Sequence, residues 1–266
     1  MPQYSIKTIQ KFKLDKKKFA TITAYDYTSA KIIDSLDIPL ILVGDSASMV
    51  VYGYDTTIPI TMEEMLFIVS AVSKGATKAL VVADMPFMSY QSSIEKAIEN
   101  AGAFIKNAGA SAIKLEGGAE MSETISSIVN IGIPVVAHIG LTPQSFHQMS
   151  GYSIQGKTSK TAKKILSDAQ AVEEAGAFAL VLEGVPSELA QKITNEISIP
   201  TIGIGAGPYC DGQIQVFHDI LGLFDTFVPK HAKQFAQISE IMTNAIKHYK
   251  DEVESGNFPM SKHYTS

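Results

Sequence analysis

Short apolar runs recur along the chain, and each ends on Tyr, Gly, Asp, Glu or His before a more polar stretch. The runs occupy residues 19–25, 38–45, 79–84, 112–116, 134–138, 178–183 and 200–205, with a weaker eighth at 214–219. They are nearly continuous in apolar character, as strands are when a parallel sheet is covered on both faces. Helical patterns lie between most of them. The segment 61–73 opens as Thr-Met-Glu-Glu, in which Thr61 can cap the first turn while Glu64 reaches back. Segments 92–107 and 161–175 carry apolar residues at helical spacing and are followed by Gly109 and Gly176, the usual helix stop. Pro186-Ser-Glu opens another helix, and Pro39, Pro134 and Pro200 fall where a helix should end and a strand begin.

Strand-helix alternation predicts a parallel sheet with helices packed outside it. Eight strands in this length predict a closed (β/α)8 TIM barrel, one domain over residues 1–266. The connection 206–212 between the last two runs is too short for a crossover helix. Either that crossover is irregular or one of the two strands is misplaced. Residues 6–12 are expected to cap the barrel bottom, and the tail after Lys250, with Gly256 and Pro259, is expected as loop.

Composition narrows the possibilities. A net charge of −5 provides no positive field for nucleic acid, and the lysines at 7, 11, 13, 16, 17 and 18 read as a solvated segment. The single cysteine, Cys210, excludes an internal disulfide and suits a reducing cytoplasm. No secretory signal is expected, and no apolar run reaches the ~18 residues of a membrane span. Gly203-Ile-Gly205-Ala-Gly207 lacks the Walker lysine and the Gly-x-Gly-x-x-Gly spacing, so it predicts close backbone approach rather than a phosphate cradle. His147, His218 and His231 carry no metal-ligand spacing.

The chemistry is positional. In a barrel the C-terminal strand ends converge on one face, where active sites are built. Those ends carry Asp45, Asp84, Glu116, His138 and Glu183, and Lys114 shares its strand face with Glu116. A single acid at such a position commonly caps the next helix. Five ionisable groups ending apolar runs are costly unless paired or bound to a metal. Several carboxylates suit a hard cation such as Mg²⁺, whereas Cys-x-x-Cys and His-Glu-x-x-His zinc spacings are absent. A cation held by Asp45 and Asp84 would chelate a 2-keto acid and stabilise charge as an adjacent C–H bond breaks, with Glu183 as a separate base. Lys114 either faces substrate or pairs with a neighbouring acid, and Ser46 either binds a carboxylate or caps a turn.

Several ordered motifs surround these residues: Thr21-Ile-Thr-Ala-Tyr-Asp26, Val43-Gly-Asp-Ser46, Ala83-Asp-Met-Pro-Phe-Met88, Ile113-Lys-Leu-Glu-Gly-Gly118, His138-Ile-Gly-Leu-Thr-Pro-Gln144, Leu182-Glu183, Ile202-Gly-Ile-Gly-Ala-Gly207, Asp211-Gly-Gln213 and Phe217-His-Asp219. Together they resemble the ketopantoate hydroxymethyltransferase family, over residues 9–256. The resemblance implies transfer of a hydroxymethyl group from 5,10-methylenetetrahydrofolate to 3-methyl-2-oxobutanoate, giving 2-dehydropantoate, in a cytoplasmic homo-oligomer that is typically a decamer. It implies Asp45 and Asp84 as Mg²⁺ ligands, with Glu116 completing the metal site directly or through water. Asp45, Ser46, Asp84 and Lys114 would bind the keto acid, Glu183 would accept the proton, and His138 would line the pocket.

Two departures stand out. Gly44-Asp-Ser-Ala-Ser-Met49 replaces the family's Gly-Asp-Ser-Leu-Gly-Met, which gives up a glycine's backbone freedom beside Asp45. Tuning of the pocket is expected rather than loss of chemistry. Gly184 stands where the family commonly has cysteine. The nearest rival is another Mg²⁺-enolate barrel, of phosphoenolpyruvate mutase or isocitrate lyase type, but the Lys-Lys-Cys-Gly-His type loop of those enzymes is absent. A barrel that only binds or scaffolds would gain nothing from crowding these charges.

Overall fold

Eight parallel strands close on themselves in chain order: β1 (Phe19–Thr23), β2 (Leu40–Val43), β3 (Leu80–Asp84), β4 (Ala112–Glu116), β5 (Val135–Gly140), β6 (Ala179–Glu183), β7 (Thr201–Ile204) and β8 (Gly212–Gln215), with β8 pairing back onto β1. This is the expected (β/α)8 barrel. It is seen in a computed structural model that describes residues 3–149, 151, 153–224 and 229–265. The chain divides into two compact units, Met1–Val216 with the whole barrel and Phe217–Ser266.

Outside the strands lie α1 (Ile6–Leu14), α2 (Tyr27–Ser35), α3 (Ala47–Val50), α4 (Met62–Gly75), α5 (Ile94–Ala108), α6 (Ser122–Asn130), α7 (Phe146–Met149), α8 (Ser159–Glu174) and α9 (Ser187–Glu196). The predicted capping box is present on α4: Thr61 accepts from Glu64 N–H, and Glu64 accepts from Thr61 N–H. Gly109 ends α5 in the left-handed region at φ 76°, where any side chain would be strained.

The expected cap is α1. Ile9 is buried in one cluster with Phe19, Leu40, Leu80, Ala112 and Val136, while Ile6 and Phe12 pack against its edge. That cluster shows how the barrel is filled. Side chains two apart on a strand share a face. Leu80 and Val82 lead to Asp84, Ala112 leads to Lys114 and Glu116, Val136 leads to His138, and Ala179 and Val181 lead to Glu183. One inward face is therefore apolar at the bottom and ionisable at the top.

Three expectations need correction. The eighth strand is residues 212–215, two residues earlier than the run suggested, and Phe217–Leu221 is a short helix, α10. The irregular crossover is real: residues 205–211 join β7 to β8 without a helix. The glycines there do allow close approach, since a Cβ on Gly203 would stand 2.9 Å from Cys210 Sγ. The lysine segment is only partly solvated. Lys13 donates to Thr194 O near the end of α9 at 2.7 Å and pairs with the Asp211 carboxylate at 3.0 Å, and Lys18 donates to Tyr209 O, a carbonyl that the helix-free crossover leaves in need of a donor.

In the second unit α11 (Ile238–Glu254) carries the helix past Lys250, so the tail is helical for four residues beyond the expected break. Ile241, Met242, Ile246, Tyr249 and Val253 are exposed along it. Among the described residues no helix is long and apolar enough to cross a membrane.

Candidate active site

Strand register brings the rim residues into contact. Asp84 of β3 is in register with Lys114 of β4, Glu116 of β4 with His138 of β5, and Gly140 of β5 with Glu183 of β6. Lys114 Nζ lies 2.7 Å from Asp84 Oδ1 and 3.9 Å from Glu116 Oε1. His138 Nδ1 lies 3.6 Å from Glu116 Oε1, and its Nε2 lies 3.4 Å from Glu183 Oε2. Asp45, just beyond β2, donates its main-chain N–H to Asp84 Oδ2 at 3.2 Å. All of these side chains are deeply buried except Glu183, which keeps 16% of its surface open and so is the carboxylate best placed to meet a ligand.

Gln144 ties this group together from the turn after β5. Its side-chain Nε2 donates to Asp45 Oδ2 and to Met85 O, both at 2.9 Å. Its main-chain N–H donates to Glu116 Oε2 at 3.0 Å. Its Oε1 accepts from the Tyr90 hydroxyl at 2.8 Å and from Gln91 Nε2 at 3.0 Å. The Tyr90 hydroxyl in turn accepts Glu116 N–H at 3.0 Å. Ser46 stands apart from this network and shares a hydrogen bond of 2.8 Å with the buried Tyr25 hydroxyl.

Burial dominates the electrostatics. It pushes the Asp45 carboxyl up to about 7, and the Asp84 charge adds to the shift. Burial also drives Glu116 well above the usual carboxylate range, against the pull of Lys114. For Lys114 burial works toward neutrality, but Asp84, Glu116 and Asp45 outweigh it and hold the ammonium charged above its ordinary value. Burial and then Lys114 lower His138, so its imidazole is neutral near pH 7. Glu116 Oε1 and both His138 ring nitrogens are buried without a hydrogen-bond partner. Carboxylates thus outnumber the one ammonium of this group, which has Asp84 at 2.7 Å and Glu116 at 3.9 Å, an arrangement that is costly unless protons, substrate or a cation offset it.

The structure brings Asp45, Asp84, Lys114, Glu116, His138 and Glu183 into one connected group, with Ser46 beside it. Among the described residues no group of three or more His, Cys, Asp or Glu side chains is arranged so that it could hold a metal ion. Ser48, the serine in place of the family's glycine, is helical in α3, and its hydroxyl donates to Thr56 O at 2.7 Å, so the position demands no glycine conformation. Sequence reasoning assigned no role to Gln144, Tyr90 or Tyr25. Gln144 follows Pro143 directly after a strand end, the one positional signal it offered.

The family model for ketopantoate hydroxymethyltransferase matches residues 3–261. The 3-methyl-2-oxobutanoate hydroxymethyltransferase of Dehalococcoides mccartyi is 54% identical over 97% of this chain and 92% of its own length. The proteins of the same name from Geobacter metallireducens and Clostridioides difficile are each 52% identical, over 96% and 97% of this chain and 96% and 94% of their own lengths. Solved structures share the fold at low identity. Phosphonopyruvate hydrolase superposes with a TM-score of 0.65 at 13% identity, covering 100% of this chain and 92% of that one. For 2,3-dimethylmalate lyase, of the PEP mutase/isocitrate lyase superfamily, the TM-score is 0.62 at 16% identity, covering 98% and 91%. With a matching model over nearly its full length and relatives above half identity, the chain belongs to the ketopantoate hydroxymethyltransferase family.

Proposed function

We propose that this chain transfers a hydroxymethyl group from 5,10-methylenetetrahydrofolate to 3-methyl-2-oxobutanoate in the presence of Mg²⁺, forming 2-dehydropantoate. The observation that carries the reading is the contact chain Asp45–Asp84–Lys114–Glu116–His138–Glu183 at the rim of a family member. The donor set fits a hard cation. It is rich in oxygen, holds more carboxylate than ammonium, and leaves Glu116 Oε1 without a hydrogen bond. An incomplete protein cage suits Mg²⁺, which keeps positions for water and substrate oxygens. Phosphonopyruvate hydrolase, of the same fold, has been solved with oxalate and Mg²⁺.

Asp45 and Asp84 would hold the cation, with Glu116 directly or through water. When bound, Mg²⁺ would supply Lewis-acid stabilisation of negative charge on the keto oxygen. Lys114, kept charged by its neighbours, adds a second positive group for the substrate. Ser46 offers a hydroxyl to the substrate carboxylate. Glu183 takes the C3 proton, and neutral His138 orients Glu183 from 3.4 Å. Water breaks the two methylene–nitrogen bonds of the folate to give formaldehyde and tetrahydrofolate, and the C3 carbanion adds to the formaldehyde carbon, whose oxygen takes a proton to become the new hydroxyl. A homo-oligomer, a decamer by the family resemblance, is tested by sedimentation velocity. The lone cysteine suits a cytoplasmic setting.

The test is hydrogen–deuterium washout at C3 of the keto acid. Wild type should exchange with Mg²⁺ and without folate, stop in EDTA, and consume keto acid only with folate. Glu183→Gln should slow washout by ~10²–10⁴-fold. Washout at the wild-type rate in that variant would remove Glu183 as the base. Keto-acid consumption without folate would point to a bond-cleaving relative instead.

A further inference from the structure

We propose that Gln144 is a positioning residue that decides which oxygens of Asp45 and Glu116 are left for substrate or cation. This deepens the cation reading above and rests on it. A carboxylate oxygen accepts along about two lone-pair directions, and in a buried site a protein hydrogen bond takes up one of them and fixes how the group is turned. Gln144 commits one on each acid: its side-chain amide takes Asp45 Oδ2, and its main-chain N–H takes Glu116 Oε2. Glu116 Oε1 is left buried without a hydrogen-bond partner. Two acids from different strands are thereby set by one residue that belongs to neither strand.

The amide itself cannot turn over. Its Oε1 is held by donors from Tyr90 and Gln91, and its Nε2 by the acceptors Met85 O and Asp45 Oδ2. A flip would set Oε1 against a carboxylate and a carbonyl, and Nε2 against the Gln91 amide nitrogen. Methionine would fit the space but lack the donor. Outer hydrogen-bond partners of metal-binding groups typically change affinity by ~10–100-fold when removed.

The experiment uses Mn²⁺ as the probe, with free ion read by electron paramagnetic resonance in wild type, Gln144→Met and Tyr90→Phe. Gln144→Met should raise the Mn²⁺ dissociation constant by ~10–100-fold. Tyr90→Phe, which removes one of the two locks on the amide, should raise it by a smaller factor and decides the matter if Gln144→Met does not fold. A glutamine that served packing alone would lower the melting temperature without changing the affinity of the molecules that stay folded. If wild type binds Mn²⁺ and every folded variant binds within twofold of it, the role of Gln144 is overturned. If wild type takes up no Mn²⁺, the cation reading falls, and this proposal with it.

Discussion

Replacing Lys114 by methionine is the sharpest test of the rim's electrostatics. The side chain is 4% exposed, 2.7 Å from Asp84 and 3.9 Å from Glu116, and the Asp45 charge also bears on it. Methionine keeps the apolar stem and removes the charge. Breaking a buried pair by deleting one partner costs ~3–5 kcal/mol, because the other charge stays buried alone. At ~2–4 °C per kcal/mol for a unit of this size, the melting temperature should fall by ~6–20 °C. The loss should depend on pH. Lys114 is held charged above its ordinary value, so its own titration contributes nothing between pH 5.5 and 8. The Asp45 carboxyl does titrate there. Asp45 already stands at about 7 through burial and Asp84, and losing Lys114 raises it and Glu116 further. The native variant then binds more protons than its unfolded chain, so its stability falls as pH rises. At pH 5.5 protons replace the lysine and the deficit is small, while at pH 8 it is larger. Thermal melts of wild type and variant in EDTA at both pH values measure this. An equal deficit at the two pH values would refute the reasoning, and so would no deficit at pH 8.

Two further outcomes are expected. Burial raises the Asp34 carboxyl, but the N–H groups of Ala79, Thr77 and Lys78 and the Thr77 hydroxyl outweigh it and hold it below its ordinary value. Asp34→Ala should therefore cost on the order of 3 kcal/mol near pH 7 in denaturant melts, a deficit that shrinks as pH falls through the lowered carboxyl value. Gly140 sits at φ +99° where a Cβ would lie 2.3 Å from Glu183 O, so Gly140→Ala should lower the melting temperature and also slow C3 washout by ~10²-fold through displacement of Glu183. Unchanged washout in a folded Gly140→Ala variant would separate the Glu183 backbone from the chemistry.

What the sequence displayed, and what it hid, divides along physical lines. Apolar runs and their stops follow from local composition, so seven strands were recovered within a few residues. The eighth was displaced because Gly212-Gln213 looks nothing like an apolar run, and its place is set by pairing with β1 and β7. Strand-end acids were visible because a charge closing an apolar run is conspicuous. Which acid meets Lys114 was not, since register between strands is a property of the closed barrel and not of either strand. Gln144 was invisible as a participant. A neutral amide in a turn carries only the positional signal of its place after a strand end, and its five hydrogen bonds exist only once β3, β4 and the β2 end have converged on it.

The same inward face explains why stability and chemistry can coexist in so small an interior. Ile9, Leu40, Leu80, Ala112 and Val136 fill the bottom with apolar contact, and the ionisable residues begin one pleat higher on the same strands. Val82 and Asp84 are separated by one pleat, as are Ala112 and Lys114, or Val136 and His138. The backbone ladder is indifferent to this change, because parallel pairing uses main-chain groups alone. The lower layers can therefore carry the folding free energy while the upper layer holds carboxylates at the edge of ionisation. A cation or substrate that binds the upper layer offsets its repulsion and stabilises the folded state by mass action. The rim is thus the part of the barrel whose stability most depends on what is bound there.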